Sequence, residues 1–228
     1  MWIKFIIILV LGYLLGSFSP AYFIGKYVKD VDLRQKGSGN LGSTNVMRVL
    51  GTKSALITFV LDTLKGFLIM YISDLMFSDV YSSHSAIGML IGGVAVVAGH
   101  NFPFYLNFRG GKGIATTFGV ALYLNPFGAM CMLLLEWLIT LTTGYVSLAS
   151  VINCIAFPFF VNLIRLDFAY TPNVYTWGLC IILSVIAIVR HIPNIKRLIK
   201  GKENRFMLKS TIKEKKPVFN DKDTAQHR

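Results

Sequence analysis

Residues 114–146 read IATTFGVALYLNPFGAMCMLLLEWLITLTTGYV. The stretch is apolar almost throughout and too long for one membrane crossing, which takes roughly 20 residues. Its middle holds Asn125-Pro126. Proline removes a helical hydrogen bond and Asn favours a turn, so the stretch reads as two helices, 114–124 and 127–146, rather than one bent rod. This choice decides the fold. Two helices bring the apolar segments to seven and keep the glycine-rich loops on one side. A single helix makes six and puts both chain ends on one side, away from the glycine-rich loops.

Outward from there, the other apolar segments lie at 5–25, 54–73, 84–98, 148–164 and 174–190. Segments 84–98 and 114–124 are short, so their helices are expected to borrow residues from the flanking loops. The 228-residue chain is 54% hydrophobic with a mean hydropathy of +0.58. That is the composition of a polytopic membrane protein forming one bundle. The expected fold is all-α with seven transmembrane helices. The first segment sits where a signal peptide would. Only Lys4 precedes it, it is long and it lacks an Ala-x-Ala site, so it reads as a retained helix.

Seven spans put the termini on opposite sides. One side then collects Lys26, Lys29, Arg34, Lys36, Arg48, Lys53, Arg109, Lys112 and every basic residue from Arg190 onward. Of the 23 Lys and Arg only Lys4, Lys65 and Arg165 lie elsewhere. The positive-inside rule places the N-terminus outside and the C-terminus in the cytoplasm. The net charge of +12 invites a nucleic-acid reading. The basic residues are mostly topological markers or tail, and no nucleic-acid motif accompanies them, so no nucleic-acid partner is expected. Residues 1–206 read as the integral-membrane domain and 207–228 as a basic, disordered cytoplasmic tail, solvated or drawn to anionic lipid. Cys131, Cys154 and Cys180 lie in apolar spans without metal-ligand neighbours and read as packing residues. No metal site is expected.

Two loops carry the chemistry. Residues 99–113, Gly-His-Asn-Phe-Pro-Phe-Tyr-Leu-Asn-Phe-Arg-Gly-Gly-Lys-Gly, join two apolar segments. Glycines let backbone N–H groups converge on an anion, and Arg109 and Lys112 add charge. The loop is not a nucleotide P-loop, because Leu106 stands where the first Walker glycine belongs and Gly113 follows Lys112. Residues 36–45, Lys-Gly-Ser-Gly-Asn-Leu-Gly-Ser-Thr-Asn, repeat the chemistry after the first span. A helix beginning near Ser43 would aim free N–H groups at the loop and keep Arg48 on the same side. The same residues also suit a plain turn with an N-cap at Ser43 or Thr44.

Within the spans, Asp62 and Lys65 stand at i,i+3, either as a structural ion pair or with Lys65 reaching toward an anionic site. Glu136 is alone in an apolar span and needs a hydrogen-bond partner. His191 and Asn194 form an i,i+3 pair at the cytoplasmic end of the last span, followed by Gly201 and Glu203. His100 and His191 are the candidate acid/base groups. Ser147 and Ser150 face the same side between the fifth and sixth spans.

Ser38-Gly39-Asn40-x-Gly42-x-x-Asn45-x-x-Arg48, then Gly99-His100-x-Phe102-Pro103 through Phe108-x-Gly110-Gly111-Lys112-Gly113, then His191-x-x-Asn194 with Gly201-x-Glu203, resemble the PlsY family of bacterial acyl-phosphate:glycerol-3-phosphate acyltransferases. Asp62-x-x-Lys65-Gly66 and Tyr145-x-Ser147-Leu148-Ala149-Ser150 also look like family segments, and the likeness covers about residues 1–206. Leu41 replaces the usual Pro, and Ile192 and Pro193 replace polar residues after the motif histidine.

The resemblance implies that the glycerol 3-phosphate 1-hydroxyl attacks a long-chain acyl phosphate, giving lysophosphatidic acid and inorganic phosphate without a cofactor. It assigns catalysis to Ser38, Arg48, His191 and Asn194 and structure to Glu203. It assigns glycerol 3-phosphate binding to Gly110, Gly111, Lys112 and Gly113; the polar and basic residues beside them, Asn40, Asn45, Lys65, His100, Arg109 and Ser147, are read as further substrate-binding candidates. It implies a bacterial cytoplasmic membrane, an active site on the cytoplasmic side, and the soluble enzyme that makes acyl phosphate as a partner. The rival readings are a transporter of small phosphorylated or anionic solutes and a membrane scaffold with an electrostatic tail.

Overall fold

The computed structural model describes residues 1–77, 83–164 and 173–206. Among them the chain is helical, with no strand. The helices are α1 (Trp2–Ser17), α2 (Pro20–Phe23), α3 (Ser43–Leu50), α4 (Thr52–Phe77), α5 (Ser83–Asn101), α6 (Ile114–Leu124), α7 (Pro126–Thr143), α8 (Val146–Leu163) and α9 (Val174–Ile199). Six stretches are long and apolar enough to cross a membrane: 2–28, 52–77, 83–106, 126–143, 146–163 and 174–199. With its 11 residues, α6 spans only ~16 Å, about half a hydrocarbon core. Residues 207–228, the expected tail, and Arg165 lie outside the described residues.

The break expected at Asn125-Pro126 is present, and one side chain organises it. Asn125 ends α6 and N-caps α7, its Oδ1 accepting the Gly128 N–H at 3.0 Å. Its Nδ2 donates to the Val161 and Ile164 carbonyls at 3.0 and 2.7 Å, closing the end of α8. At the same end of the bundle, Asp74 of α4 accepts from Ser85 of α5 and Tyr123 of α6, both at 2.6 Å. These contacts put the end of α4, the start of α5, the end of α6, the start of α7 and the end of α8 together. The two glycine-rich loops and the end of α9 share the opposite end.

The expected first span, 5–25, is not one helix. It stops at Ser17, Ser19 caps α2 through the Tyr22 N–H, and a π-helical turn follows over Ile24–Val28. Pro20 at the first helical position explains the restart, since its ring blocks a continuous ladder. The interruption frees carbonyls within the apolar 2–28 stretch, and Lys65 answers them: its Nζ donates to the Gly16 and Phe18 oxygens at 3.0 and 2.9 Å.

The helices meet through small residues. An added Cβ on Gly16 of α1 would strike the Val96 carbonyl of α5, and one on Gly99 the Tyr13 carbonyl. Close backbone approach of this kind is how helices associate in lipid, where apolar burial drives little. Ile69, Met70, Val96, Val120, Phe157 and Leu183 form the central core across α4, α5, α6, α8 and α9. Outside it, large apolar side chains stay uncovered, with Trp2 at 80% and Leu134 at 66% exposure, as a lipid-facing surface requires. Glu136 finds its partners on α8, accepting from Ser150 at 2.8 Å and Asn153 at 2.6 Å.

Candidate active site

The first loop is held by Asn45. This buried residue accepts the Ser38 N–H at 2.8 Å and donates to the Leu33 and Lys36 carbonyls at 3.3 and 3.1 Å. A residue expected at the substrate therefore also scaffolds the loop. The helix expected near Ser43 begins there, but its N-cap is Gly42, with no side-chain cap, instead of Ser43 or Thr44. The first two N–H groups of α3 are left for the cavity. Arg48 lies one turn on, and no hydrogen bond or ion pair engages its guanidinium among the described residues.

The second loop departs from expectation. Gly99, His100 and Asn101 belong to α5, so the loop proper starts at Phe102. Gly110 N–H donates to the Asn101 carbonyl at 3.1 Å and Gly111 N–H to the His100 carbonyl at 3.0 Å. These two amides are occupied and cannot converge on an anion as the glycine pattern suggested. Their carbonyls face α9, where Arg190 donates from Nε to Gly111 at 3.2 Å and from one terminal nitrogen to Gly111 and Gly110 at 2.8 and 3.4 Å. Gly113, at φ +84°, turns the chain left-handed into α6, whose first turn lines the cavity. The helix start replaces the glycine amides as the donor group.

Beneath the loop lies a buried ionic cluster. Lys65 Nζ is 2.7 Å from Asp62 and 2.9 Å from His100 Nδ1, and His100 Nδ1 is 3.3 Å from Asp62. The expected ion pair is present, and Lys65 is directed at it and at the α1 carbonyls rather than at the cavity. The other edge of the His100 ring supports Gly111: a Cβ there would collide with Nε2, not protrude toward a ligand.

At the end of α9 one chain of contacts orders the cationic groups. Lys112 Nζ donates to Asn194 Oδ1 at 2.6 Å, Asn194 Nδ2 to Glu203 at 2.8 Å, and Arg197 Nε to Glu203 at 2.7 Å. The His191 Nδ1 atom is 2.8 Å from the Ala187 carbonyl. A carbonyl only accepts, so Nδ1 carries the proton and Nε2 keeps a lone pair.

Two cavities meet here. One, about 600 Å³, is polar, lined by Arg34, Ser38, Arg109, Gly110, Lys112, Arg190 and Asn194 among others. The other, about 520 Å³, has a polar rim at Ser38, Arg48, Lys112, His191 and Asn194 and an apolar interior at Phe59, Phe118, Met132 and Phe157. Ser38, Asn40, Lys112 and Asn194 line both. Ser147 and Gly113 line the apolar one, and Arg109 the polar one. Burial lowers the Lys112 ammonium to about 8; Glu203 opposes this, while Arg197, Arg190 and Arg48 add to it. Burial likewise lowers Arg48. Burial pushes the Glu203 carboxyl up, but the Arg197 and Asn194 hydrogen bonds outweigh it and hold the group below its usual range. Cationic groups and two helix starts around a junction of polar and apolar space suit an anion that carries a lipid chain.

The sequence had grouped Arg190 with the topological charges. Its place directly before His191 was the signal that it belongs to the site.

A family model described as glycerol-3-phosphate acyltransferase matches residues 6–201. The chain is 42% identical over 207 residues to a glycerol-3-phosphate acyltransferase of Alkaliphilus metalliredigens, covering 91% of this chain and 98% of the relative. Another from Thermoanaerobacter sp. strain X514 is 39% identical, covering 90% and 96%. Among solved structures, the glycerol 3-phosphate form of PlsY (YgiH), an integral membrane glycerol 3-phosphate acyltransferase, has a TM-score of 0.81 at 36% identity and covers 92% of this chain and 99% of its own. The lysophosphatidic acid form has a TM-score of 0.77 at 36% identity, covering 89% and 95%.

Proposed function

This chain belongs to the glycerol-3-phosphate acyltransferase family, and we propose that it moves a long-chain acyl group from acyl phosphate to the 1-hydroxyl of glycerol 3-phosphate. The products are lysophosphatidic acid and inorganic phosphate. The chain is an integral-membrane acyltransferase; donor, product and site roles are our reading. Family membership sets aside the transport and scaffold alternatives.

The observation that carries the reading is the junction of the two cavities at Ser38, Asn40, Lys112 and Asn194. Glycerol 3-phosphate, small and anionic, suits the polar cavity. The acyl chain suits the apolar one, its phosphate held at the rim by Arg48, Lys112 and the starts of α3 and α6. Each phosphate brings roughly −1.5 to −2 charges, so two bring about −3 to −4, which Arg48, Arg109, Lys112 and Arg190 around the cavities can offset. The hydroxyl oxygen attacks the carbonyl carbon, the carbon–oxygen bond to phosphate breaks, and phosphate departs with the electron pair. The hydroxyl proton goes to a substrate phosphate oxygen or to Nε2 of His191, a residue that lines the apolar cavity. An acyl phosphate is already activated, so the protein contributes positioning and charge stabilisation.

Asn194 holds Lys112, and Glu203 holds Asn194, which gives Asn194 a positioning role and supports the expected structural role of Glu203. Lys65 acts from below, through the loop, while His100 both supports Gly111 and lines the apolar cavity. We further propose seven crossings, the short α6 counted as one because it joins the loop end of the bundle to the Asn125 end, with the N-terminus outside, both loops in the cytoplasm of a bacterial cell, and delivery of donor by the soluble enzyme that makes it. The test is stoichiometry. Purified protein given palmitoyl phosphate and glycerol 3-phosphate should release one phosphate per lysophosphatidic acid formed, with no need for ATP or metal. Efficient transfer from acyl-CoA, or loss of activity with chelator, would overturn the donor assignment.

A further inference from the structure

We propose that Arg190 is the positioning residue of the glycine loop, engaging the Gly110 and Gly111 carbonyls at the polar cavity so that they do not repel a phosphate approaching Lys112. The inference rests on the reading that this site takes glycerol 3-phosphate. It starts from a difficulty. The Gly110 and Gly111 N–H groups are used inside the turn, so this part of the loop offers an anion only oxygens unless something holds them aside. A carbonyl aimed at a dianion repels it.

Arg190 supplies the restraint. Its Nε and one terminal nitrogen reach both carbonyls, a span that suits the planar guanidinium and not a single ammonium. The group is itself fixed, since its plane lies over Phe102 with 5.1 Å from the guanidinium carbon to the ring centre. It also lines the polar cavity alongside Lys112. Arg190 thus bridges α9 and the loop and leaves positive charge at the entrance. The groups that set the Lys112 charge are Glu203 and Arg197 beyond α9 and on it, Arg190 on α9, and Arg48 on α3.

Two substitutions separate the clamp from the charge. Arg190→Lys keeps the charge and loses the two-carbonyl grip. Arg190→Gln loses both. With the full chain in detergent and a fixed donor, both variants should raise the KM for glycerol 3-phosphate roughly tenfold or more while changing kcat less. Arg190→Gln alone should also move the alkaline limb of kcat/KM upward, because Lys112 loses a cationic neighbour. A purely structural role would not move that limb. If either variant fails to insert, Phe102→Leu, which removes the supporting ring and leaves the charge, should give the KM effect. Unchanged glycerol 3-phosphate saturation in a folded variant overturns the inference. So does an Arg190→Gln limb that stays at the wild-type position. A wild-type enzyme that does not acylate glycerol 3-phosphate overturns the proposed function instead.

Discussion

Gly111 and Lys112 show how far single residues can be read without coordinates. The sequence marked both as ligand-facing. The Lys112 side chain lines both cavities; for Gly111 the missing side chain makes room for His100, whose opposite nitrogen is packed on Lys65 and Asp62. No local spacing reveals such a partner, because His100 and Gly111 meet only when the loop folds back on α5. Gly111→Ala should therefore lower stability by ~1–3 kcal/mol, the usual cost of overpacking, and raise the KM for glycerol 3-phosphate. Thermal unfolding in detergent checks the first effect and substrate saturation the second. Lys112 gives a pH prediction. Its charge is disfavoured where it sits, so it is protonated below about 8 and neutral above. The kcat/KM for glycerol 3-phosphate should fall as pH rises through that region. A Lys112→Arg variant keeps its charge, and the alkaline limb should disappear from its profile.

At the scale of elements, hydropathy located the helices well because lipid demands long apolar runs with satisfied backbones. The Asn125-Pro126 break was legible, since both residues act locally. The interruption after Ser17 was not recognised, although Ser19-Pro20 carries a cap and a helix-starting proline. What makes that break tolerable is Lys65, distant in sequence. The same limit hid Asn125's hold on α8. Asn125→Ala removes an N-cap and strands carbonyls at the end of α8, so it should destabilise the protein by ~2–3 kcal/mol. Chemical denaturation in mixed micelles measures this. Activity below the new unfolding midpoint should persist, because the residue sits at the end of the bundle away from the site.

Across the whole molecule, the three polar motifs were grouped by their shared excess of basic charge, and the structure brings residues of all three around the two adjoining cavities. Their division of labour was not, since it depends on which carbonyl and which ring each side chain meets. The proposed orientation predicts that cysteines at Ser38 and Asn107 label from the cytoplasm and one at Ser83 from outside. Labelling of the first two from opposite sides would separate the loops. The most direct test of the account is a structure of the full chain with glycerol 3-phosphate and an unreactive acyl phosphonate. The account predicts glycerol 3-phosphate in the polar cavity with its phosphate near Lys112, the acyl chain beside Phe118 and Phe157, and the 1-hydroxyl facing the carbonyl carbon between them. Glycerol 3-phosphate bound away from Lys112, or an acyl chain lying outside the apolar cavity, would contradict it.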